Sequence, residues 1–171
     1  MFSEKLHTAL NDQMNFEFYS SHVYLQMAAY ASGKGYDGIA NFYLVQVEEE
    51  RAHAMMIYRY LAERDLPIQI AGFEMESSSY VTMLEVFETA LAHEKIVTER
   101  VYNLANIAQE EREHATSQFL TWFINEQVEE EANFNKYIHV LNHISESSGD
   151  MLRFDQELAA RVFVDPTPKQ G

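Results

Sequence analysis

The sequence predicts an all-α protein: a four-helix bundle with one long crossover between helices two and three and a short fifth C-terminal helix. Three observations lead there. Apolar residues recur at helical spacing over four long stretches. Gly and Pro are scarce, 6 and 3 in 171 residues, so few turns interrupt the pattern. The one long aperiodic segment, near residues 65–80, falls between the second and third stretches. The length suits one domain, with the bundle over about 3–145, the short helix over about 151–163 and a frayed tail over 164–171.

The first helix starts at about Ser3, a natural N-cap, and carries a seam of Leu6, Leu10, Met14, Glu17, Ser21, Tyr24 and Ala28. It ends at about Ser32, before the stretch from Gly33 to Gly38. The second runs from about Asp37 to Arg64, with Ile39, Tyr43, Gln46, Glu50, His53, Ile57 and Tyr60 on its seam. The short break makes the pair antiparallel. Pro67, Gly72 and three consecutive serines mark the aperiodic segment, which reaches ~50 Å at ~3.3 Å per residue. A helix of this size is ~40 Å long at ~1.5 Å per residue, so the segment can return along the whole bundle. The third helix restarts at the capping box Thr82-x-x-Glu85. A break near Glu110 to Glu113 separates it from the fourth, since one helix through both is too long for a compact domain. Ser147 to Asp150 closes the fourth, and Met151 to Phe163 reads as the amphipathic fifth.

Composition removes several function classes. There is no cysteine, which excludes disulfides, thiolate metal sites, Fe–S clusters and Cys nucleophiles. A formal charge of -15 argues against nucleic acid and favours cations. No apolar run approaches a bilayer span, and MFSEKLHTAL has no basic-then-apolar leader pattern, so no membrane partner is expected and the cytoplasm is the expected compartment.

The chemistry lies in polar residues placed on the apolar seams: Glu17, Glu50, His53, Glu94, Gln127 and Glu130. Each lies within a few residues of its helix midpoint, so four helices packed in register bring them to one level. Glu50-x-x-His53 and Gln127-x-x-Glu130 each span one turn and project from one face. Burying one ionised carboxylate unpaired costs several kcal/mol, and four together repel one another. A cation at that level resolves the conflict. Four carboxylates, an imidazole and an amide suit iron or manganese best, with zinc a competitor. Glu50, central in the set, is the candidate to bridge two ions.

With these residues in place, the chain resembles the prokaryotic non-haem ferritins of the ferritin-like di-iron carboxylate family. Glu17 and Glu94 match the single-Glu positions of two helices, and Glu50-x-x-His53 matches one Glu-x-x-His motif. The fourth helix departs, with Gln127-x-x-Glu130 in place of the second motif, which is the non-haem variant. The resemblance covers almost the whole chain. It implies a ferroxidase that oxidises Fe(II) with O₂ at a di-iron site and stores ferric oxyhydroxide in a hollow shell of twenty-four subunits. It further implies one iron held by Glu17, Glu50 and His53, and a second by Glu50, Glu94 and Glu130 with Gln127 adjacent. A third iron is implied at Glu49, Glu126 and Glu129, with Glu130 shared. Tyr24 is in reach to hydrogen-bond a ligand or lend an electron, and an ordinary buried tyrosine is the plain alternative. Trp122 reads as packing, with a more distant electron-donor role as its alternative. Where bacterioferritins carry the haem-ligating Met, this chain has Arg51, so no haem is expected. His139 and His143 have ligand spacing but sit off the seam and read as surface residues. Glu110, Glu111 and Glu113 either line a cation funnel between subunits or form a solvated turn. Phe154, Leu158, Val162 and Phe163 of the fifth helix are expected to be buried by symmetry mates.

Overall fold

The computed structural model describes residues 2–167, so the end of the expected tail, from Pro168 on, lies outside the described residues. Helix α1 spans Glu4–Gly33, and the Ser3 hydroxyl accepts the Leu6 amide at 3.0 Å, the N-cap expected there. Gly35, at φ 81°, makes the turn into α2, Asp37–Glu63, a conformation that favours glycine. Helix α3 spans Met83–Glu110, and the Thr82 hydroxyl accepts the Glu85 amide at 3.1 Å. The reciprocal half of the capping box differs from the expected form, because Glu85 accepts the amide of Val81, one residue further out, at 2.8 Å. Helix α4, His114–Leu141, follows a break at Glu111 to Glu113 where Arg112 takes φ 55°.

The crossover runs along α1, held by side-chain amides that substitute for backbone partners. Asn11 accepts the Gln69 amide at 2.7 Å and donates to the Pro67 carbonyl at 3.3 Å. One turn on, Asn15 accepts from Ala71 and donates to Gln69, both at 2.8 Å, and further along Gln26 donates to the Glu76 carbonyl at 2.9 Å. The segment therefore travels from the start of α1 toward its end, which returns the chain and makes α2 and α3 parallel.

Two expectations at the C-terminus need correction. Helix α4 stops at Leu141, because the side chains of Asn142 and His143 bond back to the carbonyls of Ile138 and His139 and the chain turns away. The fifth helix is α5, Gly149–Leu158, capped by Ser148, and it ends short of the expected Phe163. Asn41 donates to the carbonyls of Ala159 and Arg161, which draws that stretch out of helical geometry and along α2. Phe154 and Leu158 are buried by the chain itself, without symmetry mates, with Phe154 packed on Phe87 and Tyr137. Val162 and Phe163 are exposed.

Helix α5 docks where α2 begins. Tyr36, the residue before α2, supplies no side-chain cap, and Asp155 does so from a distance by accepting the Ile39 amide at 2.8 Å. Gly38 permits the approach, since a Cβ there would overlap the Asp155 carbonyl.

The buried apolar residues form two clusters. One contains Tyr24, Tyr43, Phe87, Phe134 and the face of α5, and the other Leu6, Leu10, Ile57, Val101 and Phe123. Between their positions on the helices lie Glu17, Glu50, His53, Glu94, Gln127 and Glu130, each 4% exposed or less.

Candidate metal centre

Glu17 comes from α1, Glu50 and His53 from α2, Glu94 from α3, and Gln127 and Glu130 from α4. The structure brings one donor atom from each of Glu17, Glu50 and His53 within 4.8 Å of one another. Glu17 Oε2, Glu50 Oε2 and His53 Nε2 are all buried, and none has a hydrogen-bond partner among the described residues. Buried polar atoms are almost always paired, so unpartnered atoms on three residues whose donor atoms gather this closely suit a cation. Two carboxylates and one imidazole form a donor set for a divalent ion with open positions.

Glu94 and Glu130 flank this trio without joining it. Glu94 receives the Tyr24 hydroxyl, and Gln127 donates to its Oε2 at 2.9 Å. Glu130 receives Gln46 Nε2 at 3.2 Å. The charges of both carboxylates act on Glu50 and push its carboxyl further up.

Electrostatics repeat the conflict in another form. Burial, reinforced by Glu50, holds the Glu17 carboxyl well above the usual range. Burial, reinforced by Glu94, does the same to Glu50. Burial raises Glu94, against the lowering hydrogen bonds of Tyr24 and Gln127, and lifts Glu130 to about 8. Without a cation the level keeps protons that it would surrender to a metal ion.

Several supporting residues are absent from the sequence-based set. Gln13 donates to Glu17 Oε1 at 2.7 Å, and Arg100 in turn donates to Gln13 Oε1 at 3.0 Å. The i,i+4 spacing of Gln13 and Glu17 was the signal for the first link. Gln46 sits on the seam one turn before Glu50, and its polarity there was the signal for the second. His93 is buried beside Glu94, bonded to Ser20 Oγ at 2.8 Å, and burial lowers its pKa to about 4, leaving a neutral ring. Trp122, expected as a packing residue, packs edge-on to His53 at 5.3 Å.

Comparison with known proteins decides the family. The model of the Ferritin-like domain matches residues 7–144. A bacterial non-heme ferritin of Staphylococcus haemolyticus is 43% identical over 163 residues, covering 95% of this chain and 98% of its own. One from Staphylococcus aureus is 40% identical over the same shares. The chain belongs to the ferritin family. Among solved structures, an open pore ferritin of the archaeon Archaeoglobus fulgidus matches with a TM-score of 0.92 at 38% identity, covering 95% of this chain and 100% of that one. An engineered closed form of the Archaeoglobus fulgidus ferritin gives the same TM-score and identity over 96% of this chain and 100% of that one. Iron storage is the function of this family, and iron is the metal its members bind.

Other expected positions in this ferritin divide. His139 and His143 are exposed. Arg51 is exposed and pairs with Glu48 at 3.5 Å. Glu110 pairs with Lys5 at 3.2 Å and Glu113 with Arg64 at 2.8 Å, so two acids of the 110–113 turn already have cations. In the outer trio, Glu129 is exposed, Glu126 is half-buried, and Glu49 is in contact with Arg161 at 2.5 Å.

Proposed function

We propose that this ferritin is a ferroxidase, oxidising Fe(II) to Fe(III) with O₂ at the buried centre and storing the ferric product in a shell of twenty-four copies. The carrying observation is the trio of unpartnered donor atoms on Glu17, Glu50 and His53. Glu17, Glu50 and His53 hold one ferrous ion as substrate, and Glu50, Glu94 and Glu130 hold a second, with Gln127 orienting Glu94. Each ion gives up one electron and O₂ accepts both, so the substrate irons supply all the reducing power. The carboxylates favour this direction because anionic donors stabilise the ferric charge more than the ferrous. Gln13 and Arg100 fix Glu17, while Tyr24 and Gln127 fix Glu94, so that the carboxylates need little reorganisation as charge develops. Glu50 and Glu130 pass their protons to solvent as iron enters. Ferric ions hydrolyse to oxyhydroxide in the cavity, and the excess of acids favours cation entry. The cytoplasm is the compartment in which such a store operates, and no haem takes part.

Oxygen consumption after adding Fe²⁺ tests this reading. Rapid uptake by the wild type and a loss of at least ~10-fold in Glu50→Ala and His53→Ala are expected, since removing even a group that only supports a ligand costs about 10-fold to 100-fold. Equal, rapid uptake by all three would sink it. Sedimentation at neutral pH tests the shell, and a monomer or dimer would refute it.

A further inference from the structure

Arg161, on the chain that leaves α5, reaches Glu49 of the outer trio, and nothing in the proposed ligand set explains it. Its Nη2 lies 2.5 Å from Glu49 Oε2 and its guanidinium packs over the Phe42 ring at 4.5 Å. Asn41 Nδ2 donates to its backbone carbonyl at 2.9 Å and to that of Ala159 at 3.3 Å, which tethers the residue to α2. Its second amino group, Nη1, is buried with no acceptor among the described residues. The positive charge acts on Glu49, Glu126 and Glu130 together, lowering the pKa of each against the upward effect of burial. The guanidinium therefore holds Glu49, one of the carboxylates that an outer cation would need, and its charge acts on Glu126 and Glu130 as well.

We propose that Arg161 is a tethered competitor for that outer position, so that this ferritin takes two divalent ions tightly per chain and a third only when Arg161 is displaced. This rests on the two-ion reading of the centre given above. A guanidinium cannot shed its charge, so it opposes a divalent ion at Glu49 at any working pH, both by repulsion and by occupying the carboxylate. Tethering keeps its local concentration high without requiring strong attraction. Its side chain is 23% exposed, which leaves a path for it to swing outward when a cation arrives. The unsatisfied Nη1 favours that release, because a buried donor without an acceptor gains partners in water. Arg161 is thus a specificity-determining residue, setting how many cations the centre holds.

Calorimetric titration of the assembled, iron-free protein with Zn²⁺, which needs no O₂ and reads no turnover, tests this. Two tight ions per chain are expected in the wild type. Arg161→Gln is expected to add a third that binds at least ~10-fold tighter than any third ion in the wild type, as removal of an adjacent charge implies. Combining Arg161→Gln with Glu49→Gln should remove the gain. Asn41→Ala, which releases the tether and leaves every carboxylate in place, should shift the third ion in the same direction if Arg161→Gln does not assemble. Two tight ions in the wild type with no gain in either variant overturns the role of Arg161 and leaves the two-ion centre standing. Fewer than two tight ions in the wild type overturns the two-ion centre itself. A gain that survives Glu49→Gln also overturns the proposal, because the added ion then lies elsewhere.

Discussion

Glu17 and Glu94 show how single residues are held ready in this protein. Glu17 depends on Gln13, which is itself gripped by Arg100 across the α1–α3 interface. Gln13→Ala removes the only donor to Glu17 Oε1 among the described residues and leaves Arg100 without that acceptor. We expect a loss of about 10-fold to 100-fold in affinity for the ion at Glu17, Glu50 and His53, read by anaerobic Zn²⁺ titration. Glu94 has two donors, Tyr24 and Gln127. Tyr24→Phe keeps the ring stacked on Phe134, whose centroid is 6.2 Å away, and deletes only the hydroxyl. One of the two Zn²⁺ ions should therefore weaken while the other is unchanged, and equal weakening of both would contradict the placement of Tyr24 beside the second ion. The buried polar level was legible in sequence because each member interrupts a helical seam at a shared height. Gln46 carried a weaker signal of the same kind, and Gln13 only its i,i+4 spacing to Glu17. Arg161 carried none, since its contact with Glu49 spans 112 residues and follows from the course of a non-helical segment.

At the scale of elements, the helix starts that obey local rules were readable and those set by tertiary contacts were not. Ser3 and Thr82 cap through their own side chains, as their positions predict. Asp155 caps α2 from another helix, and no local pattern announces it. The same docking explains why α5 is shorter than its periodicity suggested and why Phe154 and Leu158 belong to this chain's core. Gly38→Ala places a methyl group against the Asp155 carbonyl and within 3.1 Å of the Ala159 nitrogen, both backbone atoms that cannot rotate away. Destabilisation of about 1–3 kcal/mol is expected in urea unfolding, the usual range for overpacking. Asp155→Ala tests the cap separately, with an expected loss of about 1 kcal/mol and no steric clash. A neutral outcome for Gly38→Ala would mean that α5 does not dock on α2 as described.

For the whole molecule, the two apolar clusters supply the cohesion and the polar level between them works against it. A carboxyl whose pKa is raised on folding binds its proton more tightly in the native chain than in the unfolded one. The contribution of such a group to native stability is fully present below the ordinary value of 4.5 and declines as pH rises, until about 8 for Glu130, where the native group too has ionised. The metal-free protein should lose unfolding free energy across that window, and Zn²⁺ should suppress the loss by replacing the protons. Glu130→Gln should flatten the dependence in the metal-free state, as chemical unfolding at a series of pH values will show.

Anomalous scattering at the iron edge, from crystals soaked aerobically with iron, tests the two-ion centre itself. Two iron peaks per chain are expected, one bounded by Glu17, Glu50 and His53 and the other by Glu50, Glu94 and Glu130. Iron bound elsewhere in the protein, with no peak among these five residues, would contradict it.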